Sequence, residues 1–331
     1  MKNRQIEGLR GFAIIIILLY HIFYRFQGIY GNYGLSVDYM KHWGEFGVSI
    51  FLCISSYFFV DFKKENLNRS FLDFIKRRIF RLYPSYIISI TITAIIIHMF
   101  YLPNRMSTLK DYLLNLFFLN GFLETPYING AHWFLNVLLS MIICIGIAKK
   151  FSFENKPSFY FIWIFARIGT SFFYIPFLKK FLGGNYFGYI IVVIAIKAII
   201  EKNLNKKELL SWMILFFIGI WCSYFYLGFH ILKQLFIILP VLFLCIYNKI
   251  SVFNNKVLIF LGGISYQLYL IHQNIAFEIE YYCLKYNFGN ILVLGVLSII
   301  IVIILALVIY KIEKEILKKN KFKERIRWEK K

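Results

Sequence analysis

Long, uninterrupted apolar runs follow one another from near the first residue to about residue 310. A membrane-spanning helix needs about 20 mainly apolar residues to cross about 30 Å of hydrocarbon. The runs are continuous rather than alternating, which favours helices over the strands of a membrane barrel. We therefore expect one all-α, polytopic integral membrane domain over residues 1–331, with about ten transmembrane helices. The predicted spans are 9–26, 44–62, 83–102, 132–148, 159–178, 183–200, 209–227, 230–247, 257–277 and 290–310.

The composition agrees with a membrane protein and excludes several other classes. Hydrophobic residues make up 60% of the chain and charged residues only 17%, which excludes a disordered chain and an ordinary soluble domain. The net charge of +21 does not indicate nucleic-acid binding, because the basic residues lie between apolar runs. The five cysteines are scattered without a CxxC pair, so neither a disulfide framework nor a metal site is predicted.

The distribution of Lys and Arg predicts the orientation. With the N-terminus inside, cytoplasmic segments hold 28 of these residues, the opposite loops hold 7 and the spans hold 3. The excess of positive charge on the cytoplasmic side places both termini in the cytoplasm. The basic segment 63–82 and the basic tail, about 311–331, then lie at the cytoplasmic face of the cell membrane. The first apolar run has no small-x-small cleavage site after it, so we expect a retained anchor.

Arg10 and His21 are the first ionisable residues associated with a span. Eleven residues of helix turn through about 1100° and rise about 16 Å, so both side chains share one face. Arg10 is predicted at the cytoplasmic mouth and His21 in the outer half of the membrane. The structural alternatives are a positive-inside anchor for Arg10 and a hydrogen-bonded packing residue for His21.

Further ionisable residues are predicted at two depths. Glu45, His132 and His272 fall in the outer half, at a depth similar to that of His21. A histidine there can take a proton from a hydroxyl, and a carboxylate such as Glu45 can orient its ring. Arginines at a helix mouth suit phosphates. Acyl transfer from an acyl-CoA to a sugar hydroxyl fits this layout, although polar residues near membrane interfaces are also common without any chemistry. The basic residues on the cytoplasmic side are Lys76, Arg77, Arg78 and Arg81.

Six short motifs, in order along the chain, closely resemble the acyltransferase 3 family of integral membrane acyltransferases. The first is the GLRG and YH frame that contains Arg10 and His21. The other five are Gly47–Phe51 with Ile54-Ser55, Arg77-Arg78 with Arg81–Pro84, His132–Leu135, Gly263–Tyr266 with Leu268–Leu270 and His272, and Ile312–Lys314.

The resemblance implies a ten-helix fold that O-acylates carbohydrates, usually bacterial cell-surface glycans, often from acetyl-CoA. It implies that Arg10 acts with the coenzyme and His21 in proton or acyl transfer. We expect Arg77, Arg78 and Arg81 to bind the phosphates of the acyl-CoA together with Arg10. His132, Trp133 and His272 are candidate acceptor-binding residues, with a structural hydrogen bond as the alternative for His272.

The chain departs from the family pattern at two informative places. Ser49 stands where many members have Asp or Pro, which makes Glu45, one turn away, the substitute catalytic carboxylate. Asn136 to Ser140 contain no Glu, whereas many polysaccharide-modifying members carry one shortly after the Trp. His21 is predicted either to deprotonate the acceptor hydroxyl or to carry the acyl group itself. The alternative function is a glycan transporter or exporter, since such proteins also have about ten helices with buried charges.

Overall fold

The structure is a computed structural model that describes residues 3–62 and 71–329, with side chains described as far as residue 318. Residues 63–70 of the predicted basic segment and the side chains of 319–331 in the basic tail lie outside the described part. Helices joined by loops, and no strand, make up what is described. These helices are α1 Arg4–Tyr30, α2 Trp43–Phe59, α3 Phe71–Phe100, α4 Leu109–Leu116, α5 Trp133–Lys150, α6 Pro157–Phe172, α7 Pro176–Phe181, α8 Phe187–Glu201, α9 Lys206–Leu227, α10 Phe229–Ile246, α11 Lys256–Gly263, α12 Ser265–Lys285 and α13 Ile291–Glu329.

The described part of the chain is all helical, which confirms the all-α prediction. Six of the described helices are long and apolar enough to cross a membrane, so the predicted count of about ten spans is not confirmed. Each of the other four predicted spans coincides with helix, but α2, α6 and α8 have only 17, 16 and 15 residues. The remaining one corresponds to α11 and the more polar α12. The six qualifying segments are Arg4–Tyr30, Phe71–Phe100, Gly130–Lys150, Lys206–Leu227, Phe229–Ile246 and Ile291–Lys318.

The outward faces of these helices are apolar. Only 28% of the most apolar stretch of α9 is buried inside the protein, and Phe217, Trp221 and Phe225 project from it. The corresponding share in α13 is 33%. A continuous apolar surface of this kind is rare on soluble monomers, where it would be exposed to water. The exposed faces therefore fit a multi-pass membrane protein.

Two helices differ from the predicted spans: one begins earlier in the chain, and the other is interrupted. The helix predicted from residue 83 begins at Phe71, so the arginine segment and Pro84 lie on one continuous helix. The span predicted over 257–277 is broken at Ile264, where the backbone leaves helical geometry between α11 and α12. Ser265 Oγ donates to Gly262 O at 2.8 Å across this break. Adjacent glycines followed by a serine permit such a break, because they weaken the helix and supply a local hydrogen bond.

The inner half of α1 packs backbone to backbone against α11 and the helical turn Ser251–Asn254 before it. A Cβ added at Gly8 would lie 1.9 Å from Phe253 O, and one at Gly11 would lie 1.9 Å from Leu258 O. A Cβ at Gly262 would likewise lie 1.8 Å from Glu7 O. Only glycine permits this approach, which is the usual basis of close helix contacts in membranes. The glycines on either side of Arg10 thus fix the position of the helix turn that carries it.

Side-chain caps tie neighbouring helix ends together. Asn3 accepts hydrogen bonds from the backbone of Gln5 and Ile6 at the start of α1, and its Nδ2 donates to Cys245 O at 3.1 Å at the end of α10. This arrangement satisfies terminal groups of two antiparallel helices with one amide. We call the end of the bundle where α1 and α3 begin the inner end, and the opposite end the outer end.

Two buried basic side chains inside the predicted spans donate hydrogen bonds to backbone carbonyls. Lys197 donates to Tyr57 O at 2.6 Å and to Val60 O at 2.5 Å, which satisfies carbonyls at the end of α2. Arg167 is fully buried and donates to Gly184 O at 2.6 Å, with its guanidinium beside aromatic rings. A partner for Arg167 was not predictable from spacing, because Gly184 lies in a loop between two helices.

Candidate functional site

A cavity of about 920 Å³ opens among the helices at the inner end, and it brings together the four arginines that the sequence predicts as coenzyme ligands. Arg10 reaches it from α1, while Arg77, Arg78 and Arg81 reach it from the first turns of α3. The ends of α2 and the start of α12 supply further walls. The predicted convergence of these side chains on one inner site is therefore observed.

The arginines on α3 differ in exposure and in how firmly their guanidinium groups are held. Arg77 and Arg81 are one turn apart and exposed, so their charged groups are free to meet a ligand. Arg78 is half-buried, and its guanidinium lies 3.9 Å from the ring centre of Phe59 and 4.6 Å from that of Phe74. Such aromatic contacts hold the guanidinium plane in place. Arg78 therefore forms a fixed part of the wall, whereas its neighbours are adjustable.

The cavity is electrostatically suited to an anion. Among the residues that the structure describes, its lining holds four arginines and two carboxylates, those of Glu7 and Glu313. Glu7 Oε1 lies 3.2 Å from Arg10 Nη1, and Glu313 accepts hydrogen bonds from Ser85 and Gln267. The remaining like charges repel each other, because Arg81 acts on both Arg10 and Arg78. A ligand with several negative charges would relieve this repulsion.

The wall farther from the arginines is largely apolar. Phe51, Phe134, Leu135 and Leu138 line it together with the ring of Tyr269, whose hydroxyl donates to Ala131 O. A cavity with a cationic mouth and an apolar interior has the polarity of an acyl-CoA, which carries phosphates at one end and an acyl chain at the other. The shape and chemistry of the cavity therefore fit an amphipathic anionic ligand.

His21 and His272 form a contact pair beyond Tyr269, towards the outer end. Their ring centroids are 4.9 Å apart, and the ring of Tyr269 lies 5.7 Å from that of His272. His21 belongs to a π-helical segment, Tyr20–Arg25, inside α1. Segments of this kind are frequent at functional sites, and they rotate the residues beyond them relative to a continuous α-helix. His21 itself does not line the inner cavity, so the link runs through Tyr269 and His272.

The backbone fixes which nitrogen of two buried histidines carries a hydrogen. His272 Nδ1 lies 2.9 Å from Tyr269 O and 3.2 Å from Leu268 O, and a carbonyl can only accept. The neutral ring therefore carries its hydrogen on Nδ1 and has a bare Nε2. His132 is held the other way, since its Nε2 lies 2.8 Å from Leu270 O. Neither bare nitrogen has a hydrogen-bond partner among the described residues.

The other predicted outer residues are placed differently. Trp133 stacks on Tyr186 with ring centroids 5.2 Å apart, which positions it as a packing residue of the outer half. Glu45 does not meet His21 as the substitute carboxylate of the sequence analysis. Its Oε2 lies 2.9 Å from His230 Nε2 and 3.3 Å from His42 Nδ1. The reason is the rotation of α2 about its axis. Gly44 at its start packs on the ring of Tyr20, so the next residue, Glu45, faces α10.

A group of buried and partly buried polar side chains near His21 was not predicted from the sequence. We call Arg105, Gln273, Asn274 and Glu278 the outer polar cluster. The carboxylate of Glu278 and the amide oxygens of Gln273 and Asn274 have no hydrogen-bond partner among the described residues, although all three side chains are buried. Arg105 lies over the ring of Phe277, which also approaches His21. The available signal was the run of polar residues after His272 in an otherwise apolar span.

The comparisons with known proteins agree with this geometry. The family model described as an acyltransferase domain, that of the acyltransferase 3 family, matches residues 3–311, nearly the whole chain. No curated protein and no solved structure matches the chain. The matched range contains every side chain of the inner cavity except Glu313, as well as the histidine pair. The chain belongs to the acyltransferase 3 family.

Proposed function

We propose that this acyltransferase is a membrane O-acyltransferase of the cell membrane, which moves an acyl group from a cytoplasmic acyl-CoA to a hydroxyl of a cell-surface glycan or its lipid-linked precursor. Acetyl is the proposed acyl group, and a bacterial cell envelope is the proposed setting. The observation that carries the proposal is the convergence of Arg10, Arg77, Arg78 and Arg81 on one cavity with an apolar interior. The family match supports acyl transfer and does not favour the exporter alternative.

The donor enters at the inner end in this proposal. Its phosphates are bound by the exposed guanidinium groups of Arg77 and Arg81 and by Arg10 deeper in the cavity. Planar guanidinium groups suit phosphate oxygens because they donate two parallel hydrogen bonds. The pantetheine arm and the acyl chain then lie against Phe51, Phe134 and Tyr269, with the thioester directed towards the histidine pair. The positive charge of the cytoplasmic segments supports the same orientation of the chain.

The acceptor approaches from the outer end. The unpartnered oxygens of Glu278, Gln273 and Asn274 are acceptors that hydroxyl groups of a sugar would satisfy. A buried acceptor without a partner costs free energy, so a polyhydroxyl ligand gains affinity by supplying donors. His132 and Trp133, near the same end, remain the proposed outer walls of this site. The oxygens of the outer polar cluster thus support a carbohydrate rather than a protein acceptor.

The histidine pair supplies the proton transfer. The bare Nε2 of His272 is a base, and His21 is its aromatic neighbour at 4.9 Å. As the acceptor hydroxyl attacks the thioester carbonyl, its proton passes to one imidazole, and the coenzyme leaves as the thiol after receiving a proton. In the alternative route, His21 first takes the acyl group and then passes it to the hydroxyl. Glu45 has no step in either route.

The experiment uses vesicles that contain the protein and an acceptor glycan, with acyl-labelled acetyl-CoA enclosed in the lumen. In right-side-out vesicles the lumen faces the inner end of the protein, and in inverted vesicles it faces the outer end. We expect label on the glycan only when the coenzyme reaches the inner end. Mass spectrometry of the glycan then names the acyl group by its added mass. Vesicles with a His21→Ala chain are the control for label that arrives by another enzyme. Glycan that crosses the membrane without gaining label would instead establish the exporter.

A further inference from the structure

Two histidines and one glutamate at the outer end form a compact cluster that the proposed acyl transfer does not use. His42 precedes α2, Glu45 lies in its first turn, and His230 lies in the first turn of α10. Their ligand atoms all lie within 4.8 Å of one another. The rings of His42 and His230 have centroids 4.7 Å apart at an angle of 30°. Both rings thus face the same carboxylate from two different helices.

We propose that this cluster binds a divalent transition-metal ion such as Zn²⁺. Imidazole nitrogens and a carboxylate oxygen form a ligand set that zinc takes in proteins. With metal–ligand bonds of about 2.0–2.1 Å, neighbouring ligand atoms of a tetrahedral site lie about 3.3 Å apart. The separations from Glu45 Oε2 are 3.3 Å to His42 Nδ1 and 2.9 Å to His230 Nε2. Small side-chain movements would bring all three to bonding distance.

The exposure of the cluster is suited to a site that exchanges with the solution. The side chains of His42, Glu45 and His230 are 49%, 43% and 38% exposed. A metal with three protein ligands at such a place keeps a coordination position for water. Since the outer end is away from the arginine cavity, the ion would not compete with the phosphates of the donor.

The two helices that supply the ligands are already aligned one turn deeper. Ser49 lies one turn after Glu45 on α2, and Gln234 lies one turn after His230 on α10. Ser49 Oγ donates to Gln234 Oε1 at 3.1 Å, and both residues are buried. This buried hydrogen bond fixes the separation of the two helices and therefore of their metal ligands. Preorganisation of this kind reduces the cost of binding an ion.

The test is a titration of the purified, chelator-treated full chain with Zn²⁺ alone, followed by calorimetry, with Co²⁺ as a spectroscopic substitute. We expect one ion per chain, with affinity reduced more than about tenfold in Glu45→Gln and in His230→Gln. Glu45→Gln retains a side chain of the same size, so its fold is preserved. His98→Gln is the matched control, because His98 is also exposed but lies outside the cluster and contacts backbone carbonyls.

Three results would overturn the proposal. They are no Zn²⁺ bound at micromolar concentration, binding that is unchanged in His230→Gln, or binding that is lost in His21→Gln instead. The Co²⁺ spectrum gives a second criterion, because visible absorption that persists in Glu45→Gln and His42→Gln places the ion elsewhere. Neither measurement requires a donor or a glycan, so failure here leaves the proposed acyl transfer untouched.

Discussion

His21 is the residue on which the proposed chemistry depends most directly. We expect His21→Ala to lower acyl transfer by about 10²–10⁴-fold, the usual contribution of a general acid or base. The substitution removes a ring that contacts His272 and Phe277, yet it leaves the inner part of α1 packed on α11. Label transferred from acetyl-CoA to glycan is the measurement. His98→Ala, at an exposed histidine, is the control, and full activity in His21→Ala would remove this residue from the mechanism.

The hydrogen on Nδ1 of His272 leads to a second prediction. In His272→Asn, the side-chain amide can still donate to a backbone carbonyl, but the bare ring nitrogen is lost. We therefore expect a protein that is folded and inserted but has much lower acyl transfer. His272→Gln should lose both the activity and part of the stability, because its amide reaches past the carbonyls of Leu268 and Tyr269. Normal activity in the Asn variant would assign His272 a purely structural hydrogen bond.

A substitution of Arg81 tests the proposed donor site by itself. Its guanidinium is exposed and, among the described side chains, has no aromatic contact of the kind that holds Arg78, so its removal should leave the fold intact. We expect Arg81→Ala to raise the KM for acyl-CoA by about ten- to a hundredfold, the equivalent of one or two hydrogen bonds to a charged group. Lys207→Ala removes an exposed cation outside the cavity and should leave the KM unchanged. Equal changes in the KM for acyl-CoA in the two variants would contradict a specific role of Arg81, because they would reflect only the loss of one positive charge.

At the scale of elements, the contact between α1 and α11 can be tested with adjacent glycines. Gly262→Ala places a methyl group 1.8 Å from Glu7 O, whereas Gly263→Ala meets nothing within 4 Å. We expect the first change to cost about 1–3 kcal/mol, as overpacking of a core does, and the second to cost little. Thermal unfolding of the detergent-solubilised protein measures both. Equal unfolding temperatures would show that the two helices can separate without cost.

The sequence predicts at which end of the bundle a residue lies, but it does not predict the direction in which the side chain points. The order of spans placed Arg10 and the arginines of α3 at one end of the bundle, because alternate spans begin on the same side. The partner of Glu45 depends on how the loop before α2 turns its first residues, and no periodicity encodes that turn. The π-helical segment at His21 was equally unpredictable, since its residues are ordinary helix formers. The outer polar cluster was visible as polar residues in an apolar span, but its inward direction was not.

At the scale of the whole molecule, the proposed reaction needs a fixed orientation across the membrane. The excess of Lys and Arg on one side predicts that Lys207 lies in the cytoplasm and Lys110 outside, and both side chains are exposed. In intact cells, a membrane-impermeant maleimide should label Lys110→Cys but should label Lys207→Cys only after permeabilisation. Four of the five native cysteines are buried, and the partly exposed Cys283 is replaced by Ser in both variants to keep the background low. The reverse pattern would invert the donor and acceptor sides.

The π-helical segment has a consequence for how relatives of this chain can diverge. The portion of α1 before it is immobilised by glycine contacts, while the direction of everything after it depends on one wide turn. Deletion of a single residue from that turn would rotate the residues after it by about 100° about the helix axis and would leave the position of Arg10 unchanged. The proposed coenzyme site and the proposed acceptor site can therefore evolve independently, even though one continuous helix serves both.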